Sequence, residues 1–406
     1  MSASSRAASP PSPVHPAWLV AAGDFVTTGG MDAANHALAS YLARSGRETH
    51  LVAHRVAPEL AALKGVHVHR VPRPLGSHLL GFPLLEEVAA WRASADSGFH
   101  RLLPLRRSSS VRPLVTLANG GNFPGRATWL HYVHAAFRPE IAGRPLRRVV
   151  ESAARWKALR DERSVASRAG VVIANSGLTA RHATELLGAD PARVHTVYYG
   201  ADPERFRPPG ADERARARAA LGVEDGAPAL AFVGALGDRR KGFDTLFDAF
   251  VFLTNTEPGW DATLLVAGAG GELEEWKRRA AEVGLGGRIR FLGFRADVRE
   301  VLFACDGVVS PTRYEAYGLA VQEAICTGLP AVVSRAAGVA ERIPAPLDAL
   351  LLDDPDDAGE LAARLLAWRA GMDAHRAAAL ELSAGLRGWT WEHMAARIVD
   401  IVESGS

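Results

Sequence analysis

The chain has 406 residues, 48% of them hydrophobic, and its 47 basic and 45 acidic residues leave a formal charge of +2. That length exceeds what one core organises and predicts two domains, while the near-balance of charge argues against a nucleic acid or other polyanion as partner. The two cysteines, Cys305 and Cys326, lie in apolar stretches, so a disulfide framework is not expected. They read as small core residues of a protein at home in a reducing cytoplasm.

In chain order, residues 1–15 are rich in Ser, Pro and Ala without an apolar segment, and read as a disordered tail rather than a signal peptide or anchor. No run of about 18 apolar residues follows, so no spanning helix is expected, although attachment to a membrane surface stays open. Short apolar runs then alternate with helical periods: "AWLVAAG" (17–23), "ETHLVAH" (48–54), "PLVTLAN" (113–119) and "GVVIANS" (170–176). This is the rhythm of parallel β-α-β units. A second series runs through "ALAFVGA" (229–235), "ATLLVAG" (262–268), "RIRFLG" (288–293), "GVVSP" (307–311) and "PAVVSR" (330–335). Between the two, the charged, Pro-rich stretch 198–217 places a boundary near residue 207. The predicted organisation is therefore a first α/β domain over 16–207, a second over 208–388, and a closing segment over 389–406 whose apolar stripe must be buried. Two open parallel sheets offer a cleft where the C-terminal ends of their strands face each other.

The candidate site residues fall in strand-to-helix loops. Gly29 and Gly30 precede a helix and either serve the turn or let the backbone approach an anion; the fingerprint G-x-G-x-x-G is absent, which counts against a nicotinamide enzyme. His131 and His134 in "LHYVHAAF" have no third ligand at useful spacing, so no metal is expected there. In "FVGALGDRRKGFDTLFDAF" (232–250), Arg239, Arg240 and Lys241 stand immediately before a helix, where the macrodipole disfavours cations unless an anion lies between them. A phosphate site and a solvated basic loop are the two readings. The acidic run 351–360 is explained by a helix N-terminus, and "AGAGGELEEW" (267–276) by a connecting loop. Finally, "RYEAYGLAVQEAICTGLP" (313–330) puts Glu315 on a loop and Glu323 one to two turns into a helix that starts after Gly318. Helix-start amides suit a phosphate and the carboxylates suit sugar hydroxyls, which together suggest a nucleotide sugar.

The E-x7-E pattern "EAYGLAVQE" resembles the large family 4-like group of GT-B glycosyltransferases. So do "TTGGMD", "VIANSGLTARHATELLG", "VHTVYYGADPERFRP", the lysine loop and the closing "WTWE", in this order. The resemblance implies two Rossmann-like doubly wound domains facing across a cleft, the last helix packing back on the first domain. It implies a retaining glycosyltransferase that takes a nucleoside-diphosphate sugar and a sugar, lipid-linked or small-molecule acceptor, without a metal or other cofactor. Glu315 matches the glutamate expected on the donor sugar, Glu323 the one on the ribose, and Gly318, Leu319 and Ala320 the amides at the diphosphate. Lys241 matches the lysine that neutralises the diphosphate, and His134, ahead of His131, the first-domain histidine near donor sugar and acceptor. Gly29, Gly30, Gly234, Tyr317 and Phe294 are placed along the donor site. One departure stands out: many members have Gly-Arg where this chain has Gly234–Ala235, and the interval to Lys241 is one residue longer. Arg240, or Arg239, is expected to supply the missing charge. The competing readings are a non-catalytic GT-B nucleotide-binding subunit and a GT-B epimerase or phosphorylase. The segments 72–110 and 138–168, which mix apolar and basic residues, could touch a lipid acceptor or the inner face of a membrane, or be ordinary amphipathic helices.

Overall fold

The computed structural model describes residues 15–76, 78–96, 114–121, 125–139 and 145–405. The tail expected over 1–15 lies outside the described residues except for His15, as do 77 and 97–110 of the segment 72–110 and 140–144 of the segment 138–168.

The first half contributes strands β1 (Ala17–Ala21), β2 (Asp24–Phe25), β3 (Thr49–Ala53), β4 (Arg55–Val56), β5 (Val66–Arg70), β6 (Leu114–Asn119), β7 (Ala127–Leu130), β8 (Val171–Ala174) and β9 (Val194–Thr196). Its helices are α1 (Gly30–Arg44), α2 (Pro58–Ala61), α3 (His78–Asp96), α4 (Pro145–Ala166) and α5 (Gly177–Glu185). The second half adds β10 (Ala229–Val233), β11 (Thr263–Ala267), β12 (Ile289–Gly293), β13 (Gly307–Ser310), β14 (Ala331–Ser334) and β15 (Leu351–Leu352). With them come α6 (Ala211–Ala220), α7 (Phe243–Thr256), α8 (Leu273–Glu282), α9 (Arg299–Ala304), α10 (Leu319–Cys326), α11 (Ala358–Ala370), α12 (Met372–Arg387) and α13 (Trp391–Ser404).

Seven parallel strands form the first sheet in the order β5-β3-β1-β6-β7-β8-β9, and six form the second in the order β12-β11-β10-β13-β14-β15. Strands covered by helices on both faces read as unbroken apolar runs; β1 and β8 are buried at every residue. The strands missed in the sequence are short or interrupted. β7 has four residues, and β5, "VHVHR", breaks its apolar run with two histidines. In each sheet the order reverses beside the first strand of the series, β1 or β10, and such reversals open a crevice at the C-terminal ends of the strands.

The chain crosses between the halves twice, and the two crossings touch. Ala201 bridges Thr390, its amide donating to the Trp389 carbonyl at 2.8 Å. A Cβ on Gly200 would stand 2.2 Å from the Trp391 nitrogen, so only glycine admits this approach. Beyond the crossing, α13 packs on α1, burying Met394, Ile398, Val399 and Val402 against a core that includes Trp18, Leu38 and Leu42. Glu403 receives the Trp18 indole N–H at 3.0 Å and the Arg47 guanidinium at 2.8 Å. Among the described residues, no helix is long and apolar enough to cross a membrane.

Candidate active site between the two sheets

The strand β13 ends at Ser310, and the loop that follows carries Glu315 into a bridge with Ala337 before turning at Gly318. Gly318 has φ +104°, and a Cβ there would meet Val339 Cγ1 at 3.0 Å. A left-handed turn in a tight place therefore starts α10. The amides of Val321 and Gln322 are taken by the Gly318 carbonyl. Those of Leu319 and Ala320, in the first helical turn, have no partner within the helix, and both residues line the cleft.

Opposite, the lysine loop is a single 3-10 turn, Arg239–Lys241, capped by the Asp238 side chain. It ends at Gly242, whose φ is +69° and whose Cβ would lie 1.9 Å from the Pro311 carbonyl oxygen. The two loops are thus pressed together at a glycine. Lys241 Nζ meets Glu315 Oε2, and Arg240 Nη1 donates to the same oxygen at 3.0 Å. Burial alone would raise the Glu315 carboxyl, but Lys241 and Arg240 outweigh it and hold it below the ordinary carboxylate range.

Two cavities share the walls built by Gly30, Val233, Leu319 and Ala320. The smaller, about 210 Å³, holds Lys241, Glu315 and Gly318. The larger, about 970 Å³, is lined by Gly29, Arg205, Phe294, Arg295 and Glu323, with Trp391 and Glu392 from the returning C-terminal segment. The glutamates eight apart therefore face adjoining cavities across the start of α10. The Glu323 side chain makes no hydrogen bond among the described residues; burial pushes its carboxyl up to about 7 despite the nearby Arg205. Phe294 is 77% exposed on the cavity wall, an aromatic face open to a planar group.

The histidines separate cleanly. His131 is buried, meets the Tyr199 hydroxyl, and burial pushes it down to about 3, so it stays neutral. The His134 side chain is 48% exposed, and its Nδ1 lies 3.1 Å from Glu162 Oε1. A carboxylate only accepts, so Nδ1–H donates and Nε2 is left free of that bond. The ring packs beside Tyr132, which in turn lies edge-on to Tyr314 and under the Arg240 guanidinium, linking His134 to the Glu315 corner.

Three expectations are corrected. Tyr317 does not face the donor site: it is 1% exposed, its hydroxyl meets Gln322 Oε1, and its ring packs on Tyr199 at 5.0 Å. The turn at Gly318 folds it beneath α10. Arg240 lines neither cavity; its guanidinium is divided among Glu315, Asp238 Oδ2 and the Tyr314 carbonyl. Glu315 and Asp238 are thus internal anions for the loop cations. The 267–276 loop does more than connect: Cβ atoms on Gly268 and Gly270 would stand 1.8 and 1.5 Å from the carbonyl oxygens of Gly234 and Leu236. Those glycines seat the loop that leads to Lys241, while Gly234 itself lines neither cavity and Ala235 is exposed. Arg239 is exposed and pairs with Asp244 at 3.4 Å.

Sequence reasoning missed Glu162, Tyr132, Arg205 and Arg295. Tyr132 sits within the histidine motif and could have been found there. Glu162 comes from α4, 28 residues from His134, with no local signal.

Residues 28–205 match the family described as Glycosyltransferase Family 4, and residues 227–369 match Glycosyl transferases group 1. The chain belongs to the family 4-like GT-B glycosyltransferases. It is 32% identical to the D-inositol 3-phosphate glycosyltransferase of Nocardia farcinica over 246 residues, 59% of this chain and 53% of that protein. It is 34% identical to the lipopolysaccharide core biosynthesis mannosyltransferase LpsB of Rhizobium meliloti over 181 residues, 43% and 48% of the two chains. The chain spans about half the length of these curated relatives. Among solved structures, WaaG, a glycosyltransferase involved in lipopolysaccharide biosynthesis, superposes with TM-score 0.71 at 17% identity over 95% of this chain and 99% of its own. Anabaena Alr3699/HepE, solved with UDP and glucose, gives 0.69 at 20% identity over 96% and 100%. These likenesses establish the GT-B fold.

Proposed function

We propose that this protein is a glycosyltransferase that moves a sugar from a nucleoside diphosphate to an acceptor hydroxyl, with retained anomeric configuration and without a divalent metal. The observation that carries the reading is the convergence of Lys241 and Glu315 on the start of α10, in a cavity that shares its walls with the cleft of Glu323 and Phe294. In this reading Phe294 stacks on the base and Glu323 accepts from the ribose hydroxyls. The diphosphate lies along the Leu319 and Ala320 amides with Lys241 beside it, and Glu315 orients the donor sugar. The bond from the anomeric carbon to the β-phosphate oxygen breaks, its electron pair passing to that oxygen. The acceptor oxygen bonds to the anomeric carbon from the same face and its proton moves to the departing phosphate. Lys241 and the helix-start amides meet the charge that grows on the diphosphate, the place where other enzymes use a cation. His134, oriented by Glu162, stands on the first-domain side, where an acceptor enters.

The names of the relatives support a polyol or sugar acceptor. Leu80, Trp91, Val149, Val150 and Trp156, exposed on α3 and α4, support an acceptor carried at a membrane surface.

The test is to incubate the protein with UDP-, GDP-, ADP- and dTDP-sugars in chelator and follow nucleotide release by mass spectrometry, with the product anomer read by NMR. One donor turning over in chelator, with retention, is the expected result. Loss of turnover that metal restores overturns metal independence, an inverted product overturns retention, and nucleotide binding without turnover favours a binding subunit. Co-sedimentation with anionic vesicles tests the membrane contact.

A further inference from the structure

At the outer edge of the first sheet, far from the cleft, a glutamate and three histidines converge. β3 and β5 pair in parallel with His50 directly opposite His67. Glu48, two residues before His50, shares its face because side chains alternate along an extended chain. Glu48 Oε1 lies 3.5 Å from His50 Nε2 and 3.5 Å from His67 Nε2, and the three ligand atoms all lie within 4.8 Å of one another. The His50 and His67 rings stack with centroids 4.8 Å apart, which carries their Nε2 atoms to the same side. Two ligands of a tetrahedral zinc ion, each bound at about 2.0–2.1 Å, stand roughly 3.3 Å apart. The two Glu48–histidine spacings, 3.5 Å each, are close to that edge.

The second shell is also in place. His50 Nδ1 lies 3.0 Å from His69 Nε2, so one ring must donate and the other accept. A metal on His50 Nε2 leaves the proton on Nδ1, and that proton then points at His69. Ligating histidines are characteristically held by such an outer hydrogen bond. A surface ion-pair array explains the same residues less well: both Glu48–histidine separations, 3.5 Å, are long for hydrogen bonds.

We propose that Glu48, His50 and His67 form a binding site for a zinc-type divalent ion, with solvent in the fourth position, that clasps the edge strand β5 to β3. One carboxylate and two imidazoles suit such an ion better than magnesium or calcium, which favour all-oxygen sets. The side chains of Glu48 and His67 are 39% and 50% exposed, so the ion can enter from solvent. The site lies at the N-terminal ends of its strands, opposite the cleft, and is independent of the glycosyl-transfer reading.

The experiment titrates the full chain, without a histidine tag, with Zn(II) by calorimetry at pH 7.5, and with Co(II) by visible absorption. One equivalent of Zn(II), an intense tetrahedral-type Co(II) band and a higher thermal unfolding midpoint with Zn(II) are expected. His67→Ala and Glu48→Gln should each weaken Zn(II) binding at least tenfold and abolish the Co(II) band, and His69→Phe should weaken it about 10–100-fold. His195→Ala, on β9, serves as the control and should bind as wild type. Circular dichroism in metal-free buffer checks that every variant is folded. Absence of saturable binding, or binding by Glu48→Gln and His67→Ala equal to wild type, overturns the site.

Discussion

Glu323 shows how one side chain joins charge, burial and ligand. Its carboxyl is raised from 4.5 to about 7 by burial in a cavity where nothing in the described chain donates to it. A raised folded pKa contributes stability that is complete below the unfolded value and lost as pH rises through the folded one. The ligand-free wild type should therefore lose stability relative to Glu323→Gln between about pH 4.5 and 7, as chemical denaturation at stepped pH will show. Nucleotide affinity should move oppositely, rising over the same window as the carboxylate ionises to accept from the ribose. Calorimetry should find that slope flattened in Glu323→Gln and affinity lowered by about 1.5–3 kcal/mol in Glu323→Ala. Arg240 works through a neighbour. Because it grips Glu315 and the Tyr314 carbonyl, Arg240→Ala should lower kcat by roughly 10²-fold with a smaller change in KM. Arg240→Lys should recover part of that loss, and Arg239→Ala should have little effect. Equal, small effects of both alanine variants would make the loop arginines surface residues.

At the scale of elements, the site depends on glycines that let loops touch. Gly242 combines a left-handed backbone with a carbonyl oxygen where a Cβ would be. Gly242→Ala should cost at least about 2 kcal/mol of stability, since the left-handed conformation alone costs about 1–2. It should also lower turnover by displacing Lys241. A denaturation midpoint within error of wild type would mean that the loop yields freely. The sequence already marked this loop through its cations beside a helix start. It did not mark Gly268 and Gly270, because a glycine loop looks the same whether it merely turns or carries another backbone. Likewise, "EAYGLAVQE" disclosed both glutamates but misplaced Tyr317. Residue spacing reports distance along α10, whereas the left-handed turn at Gly318 decides which way the preceding side chain points.

For the whole molecule, the last helix completes the first core. Trp18 and Glu403 are hydrogen-bonded across 385 positions, and Ile398 is fully buried among first-half residues. Ile398→Ala should cost about 2–5 kcal/mol, the usual range for a buried large-to-small change. Hydrogen exchange should accelerate in β1 and α1 while β10 and β11 change little; acceleration confined to the second sheet would contradict this arrangement. By itself, the sequence determined what depends on local order: the alternation of apolar runs, the glycines and cations in strand-to-helix loops, the spacing of Glu315 and Glu323, and with these the family. Those signals are legible because strand, turn and helix impose fixed periods on neighbouring residues. Only the tertiary structure decided that Arg240 holds Glu315 rather than lining a cavity and that Glu162 aims His134. It also brought Trp391 and Glu392 to the wall of the cleft and gathered Glu48, His50 and His67 on one edge. Each of these pairings is set by sheet order and chain crossing, which join residues tens to hundreds of positions apart and leave no periodic trace between them.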